Sequence, residues 1–555
     1  MKKTYLSKSR YTKYCQCAKA LWLSVNKPEE ATVDAGVEAR FAEGNVVGDL
    51  AMGLFGNFVE VTTVKEDGKL DLGAMIEKTR EEMARGTEVI CEASFSYDRW
   101  SLWEKSGIVR PPFDEDGNYD ESAHGDGPMS RVDAGSNYCA VDILRKTADG
   151  WAIYEVKSST SNADADATDK EFGKYAIDIA YQKWVLEQCG VKVTGTYLVT
   201  LNKDYVRQGD LDLQQLFNII DLKELVANEY LKVPTQTHRA HGILAEENEQ
   251  PSVLAEYCQK PYKCAFWEYC TRELPVPSVF NVYGGKGRSG FTFAKKIDYY
   301  NRGFITFEQL QNISLGYIQD MQINCTLNQM EHIDKAGIRE FLNTITYPLY
   351  FLDFETMQQV VPQYDGTRPY QQITFQYSLH YIEHEGGPLK HTAFLAPSDG
   401  SDPRPALAEA LCHDIPMDAC TMVYNDTFEK ARIKEMAEAY PDLATHLMNI
   451  RDNIIDLLIP FRRGHYYTPA MGGSFSIKSV LPALFPDDEE LNYHNLNPLV
   501  QNGGHAMTIF PKIKDMSTKE AEEARQALLA YCHLDTLAMV RVWEKLTMSM
   551  TTKDN

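Results

Sequence analysis

The chain has 555 residues, too many for one hydrophobic core, so two or three domains are expected. Hydrophobic residues make up 44% and aromatic residues 11%, which excludes a disordered or fibrous chain. Lysine and arginine number 56 against 79 aspartates and glutamates, a net charge of −23. That balance excludes a generic basic nucleic-acid coat, but not an enzyme that meets phosphates through metal ions and local basic patches.

The opening Met1-Lys-Lys-Thr-Tyr-Leu-Ser has no apolar signal core, and no run approaches the ~18 apolar residues of a membrane span. A cytoplasmic location without a membrane partner is the expectation. In that compartment the 12 cysteines read as metal ligands and apolar fillers rather than disulfides.

Taken in order, the chain begins with a helix-like stretch holding Cys15 and Cys17, and helices are expected over 36–56 and 76–86. Strands follow at 89–95, 138–144 and 151–157, with a polar surface loop at 112–130. The turn Ala148-Asp-Gly150 joins the last two strands into a hairpin. A helix over about 170–189 and a strand from Gly195 come next. Cys258, Cys264 and Cys270 share a spacing of x5, and Pro275 and Pro277 mark the exit from that module. The glycine-rich 284–290 lacks the lysine and hydroxyl spacing of a phosphate-binding loop and reads as solvated. Residues 294–345 read as helical, leading to a strand at Tyr347. There are no internal repeats or low-complexity tracts.

Two groups of residues carry chemistry. In the first half, Glu155 and Lys157 alternate onto one strand face, and Asp142 lies on the preceding strand of the hairpin. Two carboxylates can hold a metal while the ammonium stabilises a phosphate, although an exposed Glu-x-Lys is common by itself. Three regularly spaced cysteines plus Cys17 supply four thiolates, enough for an iron–sulfur cluster or a zinc site.

In the second half, the apolar strand from Tyr347 ends in Asp353-Phe-Glu355, two carboxylates on one face. They are either solvated acids at a strand end or ligands for a hard cation. Downstream, Asn425-Asp-Thr-Phe-Glu429 turns from a strand into a helix. Tyr531 and Asp535, four apart, share a helix face. Such acids suit two cations about 3.5–4 Å apart that stabilise the attacking and leaving oxygens of a phosphodiester. Asp456 reads equally as support for that group or as a buried strand-end acid. Lys478 reads as an exposed helix lysine or a phosphate contact.

The order Asp-x-Glu, Asn-x-x-Phe-acid, Tyr-x-x-x-Asp resembles the DEDD exonucleases of the RNase H-like fold in their tyrosine variant, over about residues 347–545. The resemblance implies metal binding (Mg2+ or Mn2+) by Asp353, Glu355, Glu429 and Asp535, with Tyr531 positioning the water. Glu429 departs from the usual aspartate.

Asp142, Glu155 and Lys157 resemble the PD-(D/E)XK nuclease core, and Gln182 falls where RecB-like nucleases carry glutamine. The segment from Arg40 to Asp49 is similar to their first helix, but Gly48 stands where those relatives often have histidine, and Asp49 or Glu43 are its conceivable substitutes. Cys17 with Cys258, Cys264 and Cys270 resembles the structural 4Fe-4S staple of that family, with zinc as the alternative and Cys15 the poorer ligand.

Together these resemblances imply an α/β, multidomain chain. Residues 1–275 would form a RecB-like nuclease domain, 276–345 a helical connector and 346–555 an RNase H-like exonuclease domain. The expected activity is metal-dependent hydrolysis of DNA with two active sites. An RNA-directed exonuclease and a nucleic-acid-binding scaffold with lapsed centres are the rivals. Trp22, Tyr262, Trp267, Arg462 and Arg463 are read as strand-holding or, more simply, packing residues.

Overall fold

Apolar strands flanked by amphipathic helices build both halves of the chain, a mixed α/β architecture. The computed structural model describes residues 4–32, 35–98, 135–162, 170–285 and 290–550, with backbone alone over 35–42 and at 170. The loop read at 112–130, most of the glycine-rich 284–290 and the side chain of Arg40 lie outside the described residues. The chain divides into two units: Met1–Glu273 with Val360–Pro369, and Leu274–Gln359 with Tyr370–Asn555. Residues 276–345 are counted in the second unit. No described helix is long and apolar enough to cross a membrane.

The first unit is organised on seven strands: β1 (Tyr5–Ser7), β2 (Val59–Glu60), β3 (Val89–Asp98), β4 (Ser136–Lys146), β5 (Trp151–Ser161), β6 (Val193–Asn202) and β7 (Phe217–Asp221). Their order is β2-β3-β4-β5-β6-β7, with β1 added to β4. The hairpin read from Ala148-Asp-Gly150 is present, closed by Thr147 N–H donating to the Gly150 carbonyl at 2.8 Å.

That hairpin opens as it runs. Its ladder spans Lys146↔Trp151 to Ile143↔Tyr154 and stops there, and beyond it β4 takes β1 as a parallel partner at Ser136–Tyr138. The sheet therefore forks at Asp142 and Glu155. Helix α1 (Lys8–Gln16) starts directly after β1, where the Ser7 hydroxyl accepts the Arg10 N–H. The remaining helices of this unit used below are α2 (Ala18–Asn26), α3 (Ala35–Met52), α4 (Leu72–Arg85) and α5 (Gly173–Gln188). The fully buried Ala176, Ile179, Ala180, Val185 and Leu186 of α5 pack on strand residues such as Ile90, Val141 and Ile153.

In the second unit, residues 294–345 are mainly helical, as read from sequence. They are interrupted by a two-residue strand, β8 (His332–Ile333), which pairs with β14 (Tyr466–Tyr467). The main sheet comprises β9 (Leu349–Gln358), β10 (Gln372–Ile382), β11 (Lys390–Leu395), β12 (Cys420–Val423) and β13 (Ile454–Asp456), in the order β11-β10-β9-β12-β13. The pairs β9–β10 and β10–β11 are antiparallel, whereas β12 runs parallel to both β9 and β13.

The period of two along β9 sorts its side chains between two cores. Tyr350, Leu352 and Phe354 pack with Leu407, Leu411 and Ile433 of helices α6 (Arg404–Asp414) and α7 (Thr427–Ala439). Leu349 and Phe351 face the other way, with Leu534, Leu537 and Val540 of the long helix α8 (Thr518–Ser549). Asp353 and Glu355 continue the Phe351 face, so the sequence places two acids beneath α8.

Candidate functional site

The face of β9 that turns acidic opens on a cavity of about 330 Å³. Asp353, Glu355, Glu429, Tyr531 and Asp535 all line it, together with Asn425 and Lys478. Three elements bring them there: β9 supplies the first two, α7 supplies Glu429 in its first turn, and α8 supplies Tyr531 and Asp535 one turn apart.

Between β12 and α7 the chain turns at Asn425, whose φ of 73° is left-handed. Asp456 fixes that turn by accepting the Asn425 N–H at 2.8 Å, and also accepts the Leu458 N–H and pairs with Arg462 at 3.2 Å. Asp456 is therefore a buried strand-end acid that supports the turn ahead of Glu429.

The electrostatics are one-sided. Burial first, then the charges of Asp535, Glu355 and Glu429, hold the Asp353 carboxyl well above the usual carboxylate range. Burial and Asp535 do the same to Glu355. Burial pushes Glu429 up to about 8, and its Oε2 is buried without a hydrogen-bond partner. Asp535 rises only to about 6, because Tyr493 and Tyr531 hydrogen-bond to it. Lys478 is exposed on its helix, and its ammonium lies 5.8 and 5.9 Å from the ring centres of Tyr493 and Tyr531. Carboxylates that repel one another and an orphaned buried oxygen are what oxygen-coordinated divalent cations relieve. The donor set therefore fits Mg2+ or Mn2+.

Tyr493 was not legible as a site residue, since nothing in its surroundings marks it. Cys532, read as an apolar filler, places its thiol 3.9 Å from Asp353 Oδ2, within 4.8 Å of ligand atoms of both Asp353 and Glu355.

The fork of the first unit gathers a second group. Asp142 Oδ2 accepts the Val156 N–H at 2.7 Å, which ties the acid of β4 to β5 just where their ladder ends. Glu155 is fully buried. Its carboxylate takes hydrogen bonds from the Lys157 ammonium, from Gln182 Nε2 at 2.6 Å and from Lys8 Nζ at 3.0 and 3.1 Å. Lys8 also lies 3.6 Å from Asp142, and Lys157 lies 3.1 Å from Asp178.

Sequence reasoning brought Asp142, Glu155, Lys157 and Gln182 to this point and missed three partners. Asp178 had a signal, being one helical turn before Gln182 on the same face. Lys8 had none. Glu92 sits on β3 where the register passes from Cys91↔Ile143 to Ala93↔Val141, with a left-handed φ of 57°. Burial and the neighbouring Asp142 push its carboxyl up to about 7.

Burial alone would raise Glu155 and lower both lysines, yet the charges win. Lys157 and Lys8 hold Glu155 below the ordinary carboxylate range, and Asp142, Asp178 and Glu155 hold Lys8 well above the ordinary lysine range. Asp142 is left at about 6 by burial and the Glu155 charge. Glu43, Gly48 and Asp49 lie on α3, and a side chain added at Gly48 would meet open space.

The predicted cysteine ligands also converge. Cys17, at the junction of α1 and α2, and Cys258, Cys264 and Cys270 line one cavity of about 480 Å³. Gln16 Nε2 holds the loop in place through the carbonyls of Tyr257, Lys260 and Tyr262. Burial and the mutual presence of Cys17, Cys264 and Cys270 push the Cys258 thiol up to about 11, so bound cation charge is what would favour the thiolates.

Among the described residues, the sets of three or more ligand atoms within 4.8 Å of one another do not include these cysteines. A single tetrahedral zinc, with Zn–S bonds of ~2.3 Å, needs sulfurs about 3.8 Å apart. The four thiols offer the donor set of either a zinc ion or an iron–sulfur cluster. Cys15 also lines the cavity, but its thiol is engaged with Gln236 at 3.8 Å.

Of the residues offered as strand holders, Trp22 is buried and donates to the Glu246 carbonyl, Trp267 lines the cysteine cavity, and Arg462 is engaged with Asp456. Tyr262 is exposed, with Lys174 over its ring at 5.2 Å. Arg463 lines a separate cavity with Asp426 and Lys430.

The fold and donor sets thus define a two-unit α/β chain with a carboxylate pocket, a carboxylate–lysine fork and a four-cysteine cavity. A family profile described as "Domain of unknown function (DUF2779)" matches residues 350–476, which contain Asp353, Glu355 and Glu429. An uncharacterized protein of Ureaplasma parvum serovar 3 is 29% identical over 252 residues, covering 41% of this chain and 35% of that protein. The chain thus spans about a third of the length of that relative. No solved structure matches.

Two outcomes follow from this electrostatic arrangement. Glu429 binds its proton more tightly folded than unfolded. Its contribution is therefore complete below about pH 4.5 and is lost as pH rises through about 8. In the presence of chelator, thermal melts of the parent should fall relative to Glu429→Gln between pH 5 and 8, by a few kcal/mol in order of magnitude. Parallel melts across that range would show that Glu429 is not buried as a charge. Lys8→Met should destabilise the metal-free protein by about 2–3 kcal/mol, because Glu155 keeps Lys157 but loses its other ammonium. Denaturant titration with and without Mg2+ checks this, and a smaller deficit with Mg2+ is expected.

Proposed function

We propose that this chain is a metal-dependent nuclease acting on DNA, with an RNase H-like exonuclease centre in the second unit and a PD-(D/E)XK centre in the first. The observation that carries the reading is the assembly of Asp353, Glu355, Glu429 and Asp535 around one cavity that Lys478 also lines. The strand order β11-β10-β9-β12-β13, with its antiparallel start and parallel finish, supports an RNase H-like fold. The fork at Asp142 and Glu155, with Lys157 two residues on, supports the other.

In the second unit Asp353, Glu355, Glu429 and Asp535 would hold Mg2+ or Mn2+, which supplies positive charge to the attacking and leaving oxygens of a phosphodiester. The residues around them orient the reaction. Tyr493 donates to Asp535 Oδ1 and fixes that carboxylate. Tyr531 hydrogen-bonds to the same group, which keeps its phenol at the pocket where it can orient the incoming water. Lys478, exposed at the rim, meets the phosphate chain.

In the first unit, Asp142 and Glu155 would hold the cation and Lys157 would face the phosphate, with Gln182 fixing Glu155. The cavity of Cys17, Cys258, Cys264 and Cys270 would hold a 4Fe-4S cluster that ties the first helices to the end of the unit. Zinc is the alternative ion for the same four thiolates.

One observation favours a second reading for the first unit alone. Lys8 and Lys157 already pair with Glu155, so the charge of that carboxylate is met without a divalent ion. It would then serve as a nucleic-acid-binding module whose catalytic centre has lapsed.

End-labelled single- and double-stranded DNA, with matched RNA strands, tests the proposal. Asp353→Asn should lower one degradation activity on the order of 10²–10³-fold, and Lys157→Ala a separate one. Full activity in the double variant would remove both centres, loss with Asp353→Asn alone would leave the lapsed-fork reading, and preference for RNA would reassign the substrate. Anaerobically purified protein should contain iron and acid-labile sulfide, both lost in Cys264→Ala. Stoichiometric zinc without iron would overturn the cluster.

A further inference from the structure

Beneath α8 the face of β10 is polar where a core is expected. Gln376, Ser378 and His380 alternate onto one side of this strand, and all three are buried. Gln376 Nε2 donates to the Leu528 carbonyl at 2.9 Å, while its Oε1 is buried without a hydrogen-bond partner. The other two belong to a cluster.

His380 pairs directly across the ladder with His391 of β11. His533 of α8 completes a triangle, with ring centres 4.6, 4.7 and 4.3 Å apart. One nitrogen from each ring lies within 4.8 Å of the others.

The rings are positioned by hydroxyls. His380 Nδ1 is 2.8 Å from Thr536 Oγ1, His391 Nε2 is 2.9 Å from Ser378 Oγ, and the two hydroxyls are 2.8 Å apart. Each of those rings keeps a second donor nitrogen. A hydrogen-bond partner on the second ring nitrogen, which fixes ring orientation, is the usual surrounding of a metal-binding histidine.

The protonation state is also suitable. Burial, then the neighbouring imidazoles and Arg541, push His380 down to about 3, and burial with His533 pushes His391 down to about 4. Neutral imidazole is the form that ligates. The nearby charges are a mixed pair: Arg541 opposes a cation and Glu490 favours one, with 3.8 Å between the two side chains.

We propose that His380, His391 and His533 form a binding site for a late first-row divalent cation, zinc in particular, that clamps strands β10 and β11 to helix α8. Three imidazoles select such ions over Mg2+ and Mn2+, which prefer oxygen donors. Zn–N bonds of 2.0–2.1 Å require ligand nitrogens about 3.3 Å apart, so binding draws together nitrogens that lie within 4.8 Å of one another. His391 is the exposed ring of the three, so a coordination position there is open to water. The alternative is a stack of three neutral rings that only fills space between sheet and helix.

The test uses the full-length protein dialysed against buffered zinc with excess Mg2+, which occupies oxygen sites, followed by elemental analysis. His391→Asn and His533→Asn should each carry one zinc equivalent less than the parent. Cys264→Ser should retain that equivalent. Zinc should raise the melting temperature of the parent, by an amount that grows with its excess over Kd, and should not raise that of the two histidine variants. With Co2+ in place of zinc, the spectrum lost in the histidine variants should lack thiolate charge-transfer bands. Equal zinc content in the parent and both histidine variants, each with a cooperative melt, would overturn the site and leave a packing cluster.

Discussion

Charge buried on one sheet face is the constraint on which the second unit depends. Asp353 and Glu355 project beneath α8 from a central strand, and α7 and α8 add Glu429 and Asp535. Two like charges about 4 Å apart at an effective dielectric near 20 repel by ~4 kcal/mol. Apolar packing on the same face does nothing to relieve it. The pocket must take up protons or cations, and the raised carboxyls of Asp353, Glu355 and Glu429 express the cost of burying charge there.

The first unit meets the same constraint differently. Asp142, Glu155, Asp178 and Glu92 crowd the fork, but Lys8 and Lys157 are built into it, and Gln182 gives Glu155 a further donor. Glu155 is accordingly held below the ordinary carboxylate range and Glu355 above it. The two groups look alike as strings of acids in a sequence. They differ in whether the chain carries its own counter-charge, and that difference decides how strongly each should depend on divalent ions.

What could be read beforehand divides along the same line. Alternation on β9 fixed the common face of Asp353 and Glu355, and a four-residue step on α8 fixed that of Tyr531 and Asp535. Both are periodicities of a single element. Asp178 carried the same kind of signal relative to Gln182 and was overlooked. Lys8 and Tyr493 reach their sites only because separate elements meet in space, and no local pattern announces that meeting. Glu92 is harder still, since it is itself a left-handed residue within β3, a backbone state that no strand pattern announces. The polar stripe Gln376, Ser378, His380 was visible as a period of two, but polar alternation on a strand reads as a solvent face until a helix is known to cover it.

Helix α8 shows why covering matters. Within five residues it presents Tyr531 and Asp535 to the acid pocket, Cys532 to Asp353, and His533 to the imidazoles of β10 and β11. The rows of the sheet match this, because Ser378 pairs with Asp353 and His380 with Phe351 on the same face. A helix cannot rotate one of these side chains without carrying the others. Whatever fixes His533 against the sheet therefore also fixes the angle at which Asp535 enters the carboxylate pocket. The buried Thr536, hydrogen-bonded to both Ser378 and His380, lies one residue beyond Asp535. Sheet, imidazoles and acids are in this way held to one helical register, and the precision of the pocket is inherited from contacts that contain no carboxylate.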